Sequence, residues 1–244
     1  MSTETDYRSL IYNKHTSHSQ NDSGKFDSVT AENWGRAYES YLKNWLPKQK
    51  DAAILEVGCG DGRLLHFLIK REYTNVTGID INPDQISLAK QVSNKVTQAN
   101  AIEFLKTANN KYDMIIGLDF IEHLHKGEVF DFLGACHNAL KTDGSIILQT
   151  PNGQSPFVSG ILYGDFTHEI CFIPKSLQHI LELCGFSNFH IRQTGPVVHG
   201  LKSAIRYILW QMIHFKLKLW NLIETGDSKD IKFTRTFLIS AHKK

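Results

Sequence analysis

The chain has 244 residues, enough for one domain with an embellishment and a sizeable core. With 41% hydrophobic residues, 21% charged residues and a net charge of +2, it lacks the concentrated basic face that a nucleic-acid partner requires. Cys59, Cys136, Cys171 and Cys184 are widely separated and form no CxxC pair, so neither a zinc site nor a disulfide framework is expected, and a cytoplasmic location fits.

Residues 1–29 are rich in Ser, Thr, Asn and His and lack the apolar core of a signal peptide. They are expected to be flexible, or ordered only over a bound ligand, ahead of a single domain over 30–244. From Thr30, the residues Trp34, Tyr38, Tyr41, Leu42 and Trp45 recur at spacings of three and four, which predicts a helix that Pro47 ends.

Short apolar runs then alternate with helical patterns. "AAILEV" (52–57), "NVTGID" (75–80), "KVTQAN" (95–100), "YDMIIGLD" (112–119) and "SIILQT" (145–150) read as buried strands. "RLLHFLIK", "PDQISLAKQV" and "EVFDFLGACHNAL" read as the helices between them, and "PKSLQHILELCGF" as a later one with Gly185 as its stop. "FHIRQTG" and "FTRTFLISAH" add two strands, the last antiparallel. The alternation predicts an α/β fold: a doubly wound, mainly parallel, seven-stranded Rossmann-like sheet with helices on both faces.

The chemistry concentrates at "ILEVGCGDGRLL". A dinucleotide fingerprint places its third glycine at position 63, but that residue is Arg63 and the glycine comes one position early, at Gly62. Glu56 stands two residues before Gly58, where a carboxylate repels a pyrophosphate and attracts a ligand carrying an amino group and a sulfonium. That describes S-adenosylmethionine.

Gly58, Cys59, Gly60 and Gly62 form the loop, Cys59 in a packing role. Asp80, twenty residues after Gly60, is placed to accept the ribose hydroxyls, and Ile81 to lie against the adenine. Asn100 is assigned to the exocyclic amine, Ala101 to the ring edge through its backbone, and Leu118 to the same crevice at the carboxyl edge of the sheet.

The ordered set "ILEVGCGDG", "VTGIDINP", "ANAIEFL", "YDMIIGLDFIEHL" and "LKTDGSIILQTPN" resembles the class I S-adenosylmethionine-dependent methyltransferases. The downstream blocks "TPN", "YGDFTHEICFIP" and "FTRTFLISA" resemble the branch found among bacterial cell-surface polysaccharide enzymes. They are also similar to the 3-O-methyltransferases of ubiquinone synthesis. Both resemblances imply O-methylation, and the first runs further, so a sugar or glycan hydroxyl is the expected acceptor.

An alcohol acceptor needs a base. His168, in the cluster Asp165, Thr167, His168 and Glu169, is the first candidate, a nearby carboxylate raising its basicity. His123 is the second: if a helix begins at "LDFIEHLHK", Asp119, Glu122 and His123 share a face, or Asp119 simply caps that helix. Resemblance to the quinone enzymes implies a divalent metal on Asp119, Glu122, His123 and His168. Such pairs more often serve structure, so no metal is assigned.

A helical insertion over about 197–230 carries Ile205, Ile208, Met212, Phe215, Leu219 and Leu222 on one side and Lys202, Arg206, His214 and Lys218 largely on the other. Its interspersed charges rule against a spanning segment. Packing of the apolar stripe on the protein's own body is the leading expectation. A homodimer face and peripheral contact with the inner face of a membrane are the others.

Overall fold

The computed structural model describes Tyr7, Arg8, Ile11, residues 24–227 and residues 231–244; most of the segment expected to be flexible lies outside the described residues. Helix α1 (Ser28–Tyr41) starts where the Asp27 carboxylate accepts the Thr30 N–H at 3.0 Å. It stops short of the expected Pro47 because Asn44 adopts φ 64°, which a right-handed helix cannot accommodate.

Beyond it the sequence alternates as expected: β1 (Ile54–Val57), α2 (Arg63–Ile69), β2 (Val76–Asp80), α3 (Pro83–Ala89), β3 (Val96–Gln98), α4 (Ala101–Lys106), β4 (Tyr112–Leu118), α5 (Lys126–Ala139) and β5 (Leu140–Pro151). A short turn of helix, α6 (Ser159–Leu162), precedes α7 (Pro174–Leu183), β6 (Phe186–Gln193), α8 (Leu201–Thr225) and β7 (Thr236–Lys243).

The seven strands lie in the order β3-β2-β1-β4-β5-β7-β6. The first five are parallel, while β7 enters antiparallel between β5 and β6. Adjacent residues serve opposite faces. Ile115, Ile146 and Ile239 pack with Phe132, Leu133, Leu177 and Leu181 on one side. Ile116, Ile147 and Leu238 pack with Tyr38, Leu64, Leu65 and Leu68 of α1 and α2 on the other. Both faces are therefore buried, which explains why the strands read as continuous apolar runs.

Strand order reverses between β1 and β4, and open α/β sheets bind ligands outside the carboxyl ends of the strands at such a switch point. Three segments meet there: the glycine loop after β1, the turn after β4 and the long loop after β5. The insertion meets the same edge, since β6 ends opposite the start of β7, where Gln193 pairs with Phe237, and β7 starts opposite the end of β5, where Thr236 pairs with Pro151.

Helix α8 departs from the leading expectation. The side that meets the body is carried by Trp210 and the buried His214, whose ring stands 5.4 Å from that of Phe233. The apolar stripe faces away: Ile208 is 60% exposed and Phe215 68%. Packing on the core therefore falls to the aromatic and polar side, because the space against Gly195 is filled by the Trp210 indole.

Candidate active site

At the end of β1 the backbone of Gly58, Gly60 and Gly62 adopts φ of 66°, 50° and 90°, in the left-handed region that favours glycine. A Cβ on Gly58 would approach Phe120 to 2.8 Å, so the loop also needs glycine for space. Between them Cys59 is buried against Gly78, and burial pushes its thiol far up, consistent with the packing role.

Glu56 is 4% exposed and its Oε2 has no hydrogen-bond partner among the described residues. Burial, with Asp61 and Asp80 adding to it, raises its carboxyl well above the ordinary range. Asp80 is engaged more than its sequence position implied. Its Oδ2 accepts the Gly60 N–H at 2.9 Å and its Oδ1 accepts the Asn82 N–H at 2.8 Å, which ties the loop to the start of α3. Each oxygen retains a further lone pair for a ligand. Ile81 stands exposed beside it, Ala101 is buried at the start of α4, and Leu118 is partly buried at the end of β4.

Asn100 also caps α4: its side-chain oxygen accepts the N–H groups of Ile102 at 2.9 Å and Glu103 at 3.2 Å.

After β4 the chain turns at Asp119, whose φ of 51° is left-handed, and makes a single 3-10 turn over Ile121–His123. The helix expected at this point begins only after His125, and Asp119 caps nothing. Its two carboxylate oxygens instead accept the Gln149 amide at 3.0 and 2.8 Å, and Gln149 in turn accepts the Tyr38 hydroxyl at 2.9 Å. Desolvation by the surrounding protein raises the Asp119 carboxyl, while the nearby His168 and the Gln149 bond oppose it. Gln149 and Tyr38 were missed in the sequence. A glutamine inside the apolar run "SIILQT" was the available signal.

The two loops are joined by backbone. The Glu122 carbonyl accepts the N–H groups of Glu169 at 2.8 Å and Ile170 at 3.2 Å, which brings the 165–170 cluster onto the turn after β4. There the rings of His123 and His168 stand 4.7 Å apart. The carboxylate expected to serve His168 serves His123 instead. Asp165 accepts the Thr167 hydroxyl at 2.6 Å, and the Thr167 oxygen lies 2.8 Å from His123 Nδ1. Because the one hydroxyl proton is committed to Asp165, Thr167 accepts from His123, which sets the tautomer: Nδ1 carries the proton and Nε2 the lone pair.

His168 is set the same way, since its Nδ1 faces the Leu162 carbonyl at 3.2 Å and only an N–H is bonded there. Each ring thus keeps its lone pair on Nε2, and the two rings are neighbours. Burial brings the His123 ring down to about 4, with His168 contributing, so it is neutral at physiological pH.

Beneath them Glu122 is fully buried, with neither carboxyl oxygen hydrogen-bonded among the described residues. Burial and Asp119 raise it well above the ordinary carboxyl range, and Thr150 opposes that without meeting hydrogen-bond geometry. One ligand atom from each of Glu122, His123 and His168 lies within 4.8 Å of the others, a spacing that admits a divalent ion. From the N-terminal segment, Arg8 makes a two-pronged ion pair with Glu128 at 2.7 and 3.0 Å, and Tyr7 meets Phe166.

Residues 28–191 match the family model described as a methyltransferase domain. The chain belongs to that family. Among curated relatives, it is 36% identical over 75 residues to EEF1A lysine methyltransferase 2 of Mus musculus, covering 29% of this chain and 31% of that protein. It is 26% identical over 157 residues to the mitochondrial ubiquinone biosynthesis O-methyltransferase of Saccharomyces cerevisiae, covering 61% of this chain and 49% of that protein. The matched stretches thus span about a third to a half of these relatives. Among solved structures, a SAM-dependent methyltransferase from Archaeoglobus fulgidus superposes with a TM-score of 0.64 at 25% identity, covering 88% of this chain and 94% of that one.

Among the described residues, no helix is long and apolar enough to cross a membrane.

Proposed function

We propose that this methyltransferase-domain protein transfers a methyl group from S-adenosylmethionine to a hydroxyl oxygen, and that the acceptor is a sugar or glycan precursor. The cofactor fits the crevice. The unpartnered, buried Glu56 oxygen suits an ammonium group, the left-handed glycine loop leaves bare backbone beside it, and Asp80 retains lone pairs at the edge of β2. When bound, S-adenosylmethionine supplies an electrophilic methyl group on a positively charged sulfur.

The observation that carries an oxygen acceptor is the pair of imidazole Nε2 lone pairs fixed by Leu162 and by the Asp165–Thr167 relay. An amine acceptor can shed its own proton to water, but a hydroxyl must lose one as it attacks. His168 Nε2 would take that proton as the acceptor oxygen attacks, the bound cofactor supplying the electrophilic methyl group and its leaving sulfur. His123, held neutral, orients the acceptor hydroxyl beside it. The sugar class itself rests on the C-terminal sequence blocks.

A transfer assay with methyl-labelled S-adenosylmethionine and fractionated cell extract tests this. Label in the aqueous glycan fraction supports it. Label in the organic fraction favours a quinone precursor, the reading that the Saccharomyces cerevisiae relative supports. Binding of the cofactor without transfer to any fraction leaves a non-catalytic module.

The orphaned Glu122 carboxyl favours a second reading, in which Glu122, His123 and His168 hold a divalent cation that acidifies the acceptor hydroxyl. Activity lost to a chelator and restored by magnesium or zinc would select it.

A further inference from the structure

Helix α8 presents its apolar stripe to solvent, not to the protein. Ile208, Met212, Phe215, Leu219 and Trp220 are all exposed, and the buried His214 lies on the opposite side. So continuous an apolar stripe on a soluble surface marks an interaction site. Its charge identifies the partner. Lys202 and Lys216 border the stripe, Arg206 and Lys218 lie toward the His214 side, and Glu224, near its end, is the only acid in the helix.

A symmetric second copy would set these cations against themselves, a like-charge juxtaposition that costs affinity. An acidic lipid surface complements them, and a helix of this pattern lies in the plane of the interface with its apolar side among the acyl chains.

We propose that α8 docks the protein on an anionic lipid surface, with the sheet edge that carries the crevice turned toward the membrane. The connections support that orientation: the segment after α8 is fastened to the end of β5 by Asn152, whose amide donates to the carbonyls of Lys232 and Thr234. Docking does not depend on methyl transfer, so it can fail while the activity stands, and the reverse.

The test is flotation of the full chain with vesicles of phosphatidylcholine alone or mixed with phosphatidylglycerol, at low and high salt. The protein floats with the mixed vesicles at low salt, is released by high salt and stays behind with phosphatidylcholine alone. Trp220 fluorescence shifts to the blue on binding.

Ile208→Asp combined with Met212→Asp abolishes flotation with an unchanged Tm, since both side chains are already in solvent. Replacing Lys202 and Lys216 by Gln weakens binding by roughly fivefold per cation. Absence from anionic vesicles at low salt, or flotation indifferent to the aspartates, overturns the proposal. A dimer in solution that the same aspartates split gives the face to a second copy instead.

Discussion

The Thr167 hydroxyl donates to Asp165 at 2.6 Å and accepts from His123 Nδ1 at 2.8 Å, so a threonine decides which nitrogen of a histidine on another loop keeps its lone pair to orient the acceptor. Thr167→Val removes that instruction while keeping the shape. It is expected to lower kcat by about tenfold to a hundredfold with little change in cofactor affinity. Thr167→Ser restores most of the loss. A valine variant with full activity would show that the relay is structural only.

His168→Ala separates binding from chemistry. Titration calorimetry should find cofactor affinity within a few-fold of the parent, while turnover of an alcohol acceptor falls by roughly a hundredfold to ten-thousandfold. Equal loss of both removes His168 from the role of base.

Glu56 predicts a proton inventory. Burial favours its protonated form in the free protein, and an ammonium group placed against it favours the carboxylate. Cofactor binding should therefore release protons and tighten as pH rises above the ordinary carboxyl range. Calorimetry in buffers of different ionisation enthalpy measures the release, and Glu56→Gln should abolish it.

Two glycine substitutions should part ways. At Gly58 alanine meets both φ 66° and Phe120 at 2.8 Å, and is expected to cost about 2–4 kcal/mol of stability. At Gly60 the nearest atom, on Gln85, stands 3.8 Å away, so only the backbone strain of about 1–2 kcal/mol applies. The second variant should fold and bind cofactor poorly. Urea unfolding and calorimetry on both variants read the difference.

The His123 ring sits at about 4 against an ordinary 6.5, so between those values the unfolded chain binds a proton that the native protein refuses. Folding stability from this residue is complete above pH 6.5 and is lost as pH falls toward 4. His123→Gln should remove about 1–2 kcal/mol of the difference in stability between pH 7 and pH 5. Comparison with the parent cancels the opposite slope from buried Glu56 and Glu122.

The sheet and the left-handed glycine loop after β1 were legible because apolar runs and glycines act through local backbone geometry, which sequence spacing encodes. The limits of the reading fell where one side chain had two possible partners. Asp119 spent its carboxylate on Gln149. Asp165 reached His123 rather than its near neighbour His168, because the backbone bonds from Glu169 and Ile170 to Glu122 fold one loop onto another. The outward turn of α8 was also illegible: an amphipathic pattern fixes which side is apolar, and the fit of Trp210 over Gly195 decides which side faces the protein.

The place of β7 between β5 and β6 also governs the order of assembly. As the chain is made, β6 emerges first but has no sheet neighbour except β7, which follows only after the whole of α8. β6 can join the sheet only through β7, which follows α8 in the chain, while α8, whose hydrogen bonds are all local, needs neither strand to wind. The chain order thus leaves the apolar stripe of α8 independent of the closure of the last two strands.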